Sequence, residues 1–128
     1  MTHTSEPPRI VDDLMTDDLI TVEATDSIGQ ARDLILALGL NALPVLRDDK
    51  VIGILTSPDL ADDWAEDLPV TTAMSSPVYR IHPEATLRAA ADQMLSFNVH
   101  HLIVEDRTRV GIITSFDLLR ALSSMSAE

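Results

Sequence analysis

The sequence predicts an α/β fold made of two β-α-β-β-α repeats packed with pseudo-twofold symmetry. The first observation is a repeated word: GILTSPDL, Gly53 to Leu60, returns as GIITSFDL, Gly111 to Leu118. The second is the apolar pattern before each word. Met15, Ile28, Ala31, Ile35, Leu38, Leu43 and Val45 match Met74, Leu87, Ala90, Met94, Phe97, Leu102 and Val104 at an offset of fifty-nine. At the word itself the offset falls to fifty-eight, so one residue has been gained or lost between the copies. Arg47 to Val51 and Glu105 to Arg109 are polar stretches between apolar runs, and hairpin turns of unequal length are expected there. A single copy would bury too little apolar surface to be comfortably stable, which is the physical reason to expect two that close on each other.

The elements follow in order within each copy. Leu19 to Val22 and Val78 to Ile81 are short β-prone runs. A helix comes next in both, since Ile28, Ala31, Ile35 and Leu38, like Leu87, Ala90, Met94 and Phe97, recur at spacings of three and four. Ser27 with Gln30 has capping-box spacing, Thr86 can cap the second copy, and Gly39 and Asn98 suit the left-handed residue that ends a helix. Leu43 to Leu46 with Val51 to Leu55, and Leu102 to Val104 with Val110 to Ile113, read as strand pairs. Their consecutive apolar residues mark a sheet buried on both faces. Second helices are expected over Ser57 to Trp64 and Ser115 to Ser123. The organisation expected is a disordered tail over 1–8, repeats over 9–64 and 71–123, a linker over 65–70 and a C-terminal tail over 124–128.

Composition narrows the function. The longest unbroken apolar run, Leu34 to Leu40, is far short of the roughly 20 residues that span a bilayer, so no membrane partner is expected. MTHTSEPPRI lacks the basic start and apolar core of a signal peptide, and a cytoplasmic location is the default. With no cysteine there is neither a disulfide nor a thiolate metal site. A formal net charge of -12 argues against a nucleic-acid partner, whose phosphates need a basic patch. Asp12-Asp13, Asp17-Asp18, Asp48-Asp49 and Asp62-Asp63, with Lys50 the one lysine, give the surface a salt-adapted look, as in a halophilic archaeon; an ordinary acidic cytosolic protein is the alternative.

The repeated word carries the chemistry. Thr56 and Thr114 stand where a strand gives way to a helix, with Asp59 and Asp117 three residues on. That spacing caps a helix, and capping alone would account for both copies. A helix N-terminus can also offer unpaired N–H groups to phosphate, with the Thr hydroxyl adding a bond. The carboxylate three residues on could accept from the two hydroxyls of a ribose.

Two β-α-β-β-α units ending in Gly-h-h-Thr-x-x-Asp-h, where h is apolar, preceded by Leu-Pro-Val and Leu-Ile-Val, resemble a tandem pair of CBS domains, the cystathionine β-synthase type regulatory repeats of a Bateman module. The resemblance covers roughly residues 10 to 122. It implies clefts for AMP, ADP, ATP or S-adenosylmethionine, with no cofactor required. Asp59 and Asp117 would bind ribose, and Thr56, Ser57, Thr114 and Ser115 phosphate. Met15, Leu19, Ile54 and Leu55, with Met74, Val78, Ile112 and Ile113, would form base pockets. It also implies a homodimer and an unknown regulated partner. The alternative is an interaction module without a nucleotide ligand.

In such modules the opposite repeat supplies the basic group before its Leu-Pro-Val strand. On that pattern His100 and His101 would join Thr56 and Asp59, while Asn41 and Ala42 would join Thr114 and Asp117. The Asp59 site is therefore expected to prefer phosphorylated adenosine. The His pair is not expected to bind metal, because adjacent strand residues point to opposite faces and no third ligand stands at suitable spacing. Met94 reads as core filler. Trp64 could anchor a dimer or cover a sheet edge. Ser57 and Ser115 show no histidine partner in sequence, so no enzyme activity is expected.

Overall fold

The computed structural model describes residues 8–125, in which two compact units separate: Leu19–Val78, and the residues up to Asp18 together with those from Tyr79 onward. The expected tail over 1–8 lies outside the described residues except for Pro8, and the C-terminal tail lies outside from residue 126. The division differs in one respect from a cut between the sequence repeats. The segment before each repeat's first strand belongs with the other repeat's word: Val11–Asp13, a single 3-10 turn, goes with the second word, and its counterpart Val70–Thr72 with the first.

In the Leu19–Val78 unit, β1 (Val22–Glu23) runs parallel to β2 (Ala42–Arg47), which pairs antiparallel with β3 (Lys50–Thr56). Helix α1 (Ile28–Leu38) connects β1 to β2, and α2 (Ser57–Leu60) follows β3. The other unit repeats the plan with β4 (Arg80–Ile81), α3 (Leu87–Phe97), β5 (His101–Glu105), β6 (Val110–Thr114) and α4 (Ser115–Met125). The α/β class and the two repeats are as the sequence predicts.

Local signals account for most boundaries. Ser27 Oγ accepts from the Gln30 amide at 3.1 Å while Gln30 Oε1 accepts from the Ser27 amide at 2.8 Å, the reciprocal box its spacing promised. Thr86 caps α3 through the Ala89 amide at 3.0 Å. Gly39 (φ 64°) and Asn98 (φ 55°) end α1 and α3 in the left-handed region. Leu43, Pro44 and Val45, like Leu102, Ile103 and Val104, are buried consecutively, as their unbroken apolar runs require.

Three expectations change. The first strands shrink to Val22–Glu23 and Arg80–Ile81, later and shorter than expected. Helix α2 ends at Leu60 and does not reach Trp64. The Arg32 guanidinium donates to the carbonyls of Leu60 (3.0 Å), Asp62 (2.7 Å) and Trp64 (3.4 Å), and Trp64 Nε1 donates to the Asp59 carbonyl at 2.9 Å. These bonds fold the chain back at the point where a second helical turn would begin. Trp64 thereby has a place within its own unit, packed against the core of Val22, Ile28, Leu43, Leu55 and Val70.

The third change concerns the extra residue of the first repeat. Val45 faces Gly53, yet Leu46 faces Val51, so Ile52 has no partner on β2 and forms a β-bulge. In the second repeat Val104 faces Gly111 and Glu105 faces Val110 without interruption. The length difference lies in strand β3 and not in the hairpin turn.

Candidate functional site

Each unit brings one repeated word together with the segment that precedes the other repeat's first strand. Thr16 exchanges backbone hydrogen bonds with Ile112 at 2.9 and 2.8 Å, and Ser75 exchanges them with Ile54 at 2.9 and 3.1 Å. The glycine of the word permits this crossing. A Cβ on Gly111 would lie 2.7 Å from the Thr16 carbonyl oxygen and 3.1 Å from Met15 Cε. On Gly53 it would run into the Met74 side chain and come within 3.1 Å of the Ser75 carbonyl. Met15 therefore lies over the word of the second repeat and Met74 over that of the first. The sequence supplied both segments but not this pairing.

At the end of each word the threonine and aspartate close a reciprocal box. Asp59 Oδ2 accepts from the Thr56 amide at 2.9 Å, and Thr56 Oγ1 accepts from the Asp59 amide at 3.4 Å. Asp117 Oδ2 accepts from the Thr114 amide at 2.9 Å, and Thr114 Oγ1 accepts from the Asp117 amide at 3.2 Å. The capping role is thus fulfilled in both copies. It also holds each carboxylate half-buried with one oxygen engaged, which leaves acceptor capacity for further donors.

The two copies differ around that shared box. Helix α4 has eleven residues and α2 four, so the fixed partial charge at the N-terminus is developed over a full helix only at Ser115. Arg120 donates to the second oxygen of Asp117 at 2.7 Å. His100 Nδ1 lies 3.4 Å from Ser115 Oγ, and the Ser115 amide donates to the His100 carbonyl at 2.9 Å. Sequence reasoning found no histidine partner for Ser115; His100 supplies one from within the same unit, a contact that stands apart from its expected role beside Thr56 and Asp59. The reason is topological: β5 and β6 are adjacent antiparallel strands, so the residue before β5 meets the residue after β6. His101 is half-buried and stands opposite Thr114 in that register.

The base-pocket candidates divide. Ile54 and Ile112 keep 7% and 8% of their surface exposed where they pair with Ser75 and Thr16, whereas Leu55 and Ile113 are fully enclosed in the two cores. Successive strand side chains point to opposite faces, so one of each pair must turn inward. Leu19 and Val78, both half-buried, stand at the two ends of the Leu19–Val78 unit. Among the described residues no group of three His, Asp or Glu is arranged to hold a metal ion, and no helix is long and apolar enough to cross a membrane.

Sequence reasoning missed Arg120, although an arginine three residues after Asp117 on a helix was in view. It also missed the backbone crossing at the two glycines, for which the signal was the invariance of Gly in the repeated word itself.

Comparison with known proteins gives a consistent picture. The family model described as CBS domain matches twice, over residues 11–66 and 65–124. CBS domain-containing protein YhcV of Bacillus subtilis is 30% identical over 124 residues, covering 92% of this chain and 87% of its own. Inosine-5'-monophosphate dehydrogenase of Methanocaldococcus jannaschii is 29% identical over 121 residues, covering 92% of this chain; the match spans 24% of that enzyme's length. Among solved structures, the CBS domain pair of protein MJ0100, in complex with 5'-methylthioadenosine and S-adenosyl-L-methionine, superposes with a TM-score of 0.82 at 28% identity. That superposition covers 94% of this chain and 100% of the other.

Proposed function

Because the chain belongs to the CBS domain family, whose model matches both of its halves, we propose that it is a regulatory module that senses adenosine-containing ligands and passes the signal to a partner. The observation that carries this reading is the duplicated Thr-Asp box, set beside a crossing segment that places Met15 or Met74 over the same word. A domain pair of similar structure was solved with two adenosine compounds. In this reading Asp59 and Asp117 accept from ribose hydroxyls. Thr56, Ser57, Thr114 and Ser115, with His100 and His101, donate to phosphate, and Met15, Ile112, Met74 and Ile54 face the base. The sites are unequal, and the one at Asp117 is the better phosphate acceptor because α4 and His100 are there. AMP, ADP, ATP and S-adenosylmethionine are the candidate ligands, and a cytoplasmic, salt-adapted setting fits the charge of -12.

Function then lies in coupling, not in turnover. A ligand that binds one arrangement of the repeats better than another shifts the population a partner reads. Thermal unfolding in the presence of each compound tests the reading. A true ligand at a hundred times its dissociation constant adds about 2.7 kcal/mol of stability. Unfolding curves unmoved by all of AMP, ADP, ATP and S-adenosylmethionine would favour the interaction-module alternative.

One observation favours an association role alongside sensing. Leu95 on α3 and Phe116, Leu119 and Leu122 on α4 are large apolar side chains left exposed, with Leu95 at 80%. A homodimer through these helices would cover them. Light scattering should report twice the chain mass, falling to one chain when Leu119 and Leu122 are both changed to Glu.

A further inference from the structure

Arg120 is the polar residue that most sharply separates the two words. Its guanidinium carbon lies 4.8 Å above the Phe116 ring centroid, and its Nη2 donates to Asp117 Oδ1 at 2.7 Å. The Asp117 side chain is 12% exposed and that of Arg120 65% exposed, so the aspartate sits inside and the arginine covers it from the solvent side. Helix length makes this possible only in the second repeat. Helix α4 continues past Asp117, so a residue three positions on shares its face. In the first repeat α2 stops at Leu60; the equivalent of Arg120 is Asp62 and the equivalent of Phe116 is Pro58.

Resting on the reading above, we infer that Arg120 is a specificity-determining positioning residue that makes the Asp117 site accept anionic, phosphorylated adenosine, while the Asp59 site, which lacks it, selects uncharged or cationic adenosine compounds. A carboxylate has about four acceptor positions. The Thr114 amide takes one on Oδ2 and Arg120 takes one on Oδ1, which leaves one on each oxygen for a pair of vicinal hydroxyls. The aspartate is thus held in a fixed orientation without being filled. Its charge is also offset. A bare carboxylate repels the phosphate of a bound nucleotide a few ångströms away, and in a partly buried setting that repulsion is substantial. The arginine cancels most of it, and His100 beside Ser115 adds a second nitrogen group on the same side. Around Asp59 the next charged positions along the chain are Asp62 and Asp63, and the nearby Arg32 guanidinium donates to the carbonyls of Leu60, Asp62 and Trp64, with no ion pair to the Asp59 carboxylate corresponding to that of Arg120 with Asp117.

The test is calorimetric titration of adenosine and of AMP at low ionic strength, in an Asp59→Asn background so that the Asp117 site is read alone. Asn keeps an acceptor for the Thr56 amide, and melting curves confirm folding of each variant. Arg120→Met should weaken AMP about tenfold while adenosine changes by less than about threefold. Arg120→Lys should restore most of the AMP affinity, because charge and not the fork geometry is what offsets the carboxylate. The gap between the two ligands should narrow as salt rises. Equal losses for adenosine and AMP, or an AMP affinity unchanged by Arg120→Met, would overturn the inference while leaving the sensing role intact. A chain with native Arg120 and Asp59 that binds neither compound would overturn both.

Discussion

The glycine that opens each repeated word is explained by what crosses it. Thr16 and Ser75 pass close enough to Gly111 and Gly53 to exchange backbone bonds with the next residue, and a side chain would block that approach. The two sites do not predict equal costs. At Gly111 the nearest obstacle is a backbone oxygen at 2.7 Å, which can move only with the main chain of the crossing segment, whereas at Gly53 it is the flexible end of Met74. Gly111→Ala should therefore lower stability by about 2–3 kcal/mol and Gly53→Ala by about 1 kcal/mol less, as chemical denaturation would measure. Equal costs would mean that the crossing segments yield alike. The threonine and aspartate were legible as a cap or a ligand pair from spacing alone, and the structure shows the cap in both copies. Their surroundings were not legible. His100 meets Ser115 because of strand order, and Arg120 meets Asp117 because α4 outlasts its first turn; neither follows from the word itself.

Among the elements, the sequence predicted helices and strand pairs well where a periodic apolar stripe or an unbroken apolar run spoke for them. It failed where tertiary bonds decided the ending. Helix α2 was expected to reach Trp64, but Arg32 and the Trp64 indole take the carbonyls that a longer helix would use. The extra residue of the first repeat was assigned to a turn because turns tolerate insertions; a bulge at Ile52 tolerates it equally well. The turn is left with two residues, Asp48 and Asp49, both at positive φ (54° and 64°). That is the conformation of a tight hairpin, which glycine adopts without steric cost. Asp49→Gly should stabilise the protein by about 0.5–1 kcal/mol, read as a raised urea midpoint; a lowered midpoint would show that the aspartate makes a compensating contact.

The matching turn of the second repeat works differently. Asp106 accepts from the Thr108 and Arg109 amides, each at 2.9 Å, and these bonds hold its carboxyl below the ordinary value of 3.8. A carboxyl depressed in the folded state contributes stability that is fully present above its unfolded value and is lost as pH falls through the lower folded value. Asp13, lowered by the Arg9 and Ile10 amides, behaves alike. Asp106→Asn should therefore flatten the loss of stability below about pH 4 and change little of its slope near neutrality. An unchanged acid limb would count against the turn's role.

At the scale of the whole molecule, the duplication has a structural consequence that neither copy shows alone. Each compact unit combines one repeat's sheet with the leading segment of the other, so the chain cannot be cut between its sequence repeats without dividing both units. The surface charge adds a second global property. With a net charge of -12, self-repulsion should be relieved by salt, and molar potassium chloride should raise the unfolding midpoint. A midpoint independent of salt would remove the salt-adapted reading. Two repeated words imply two adenosine sites per chain, and binding stoichiometry tests that most directly. Calorimetric titration of adenosine, which has no phosphate for either carboxylate to repel, should give two binding events per chain. Asp59→Ala and Asp117→Ala should each remove one of them, and the double variant should bind none. Absence of binding to a folded unsubstituted chain, or binding that survives both substitutions, would contradict the account.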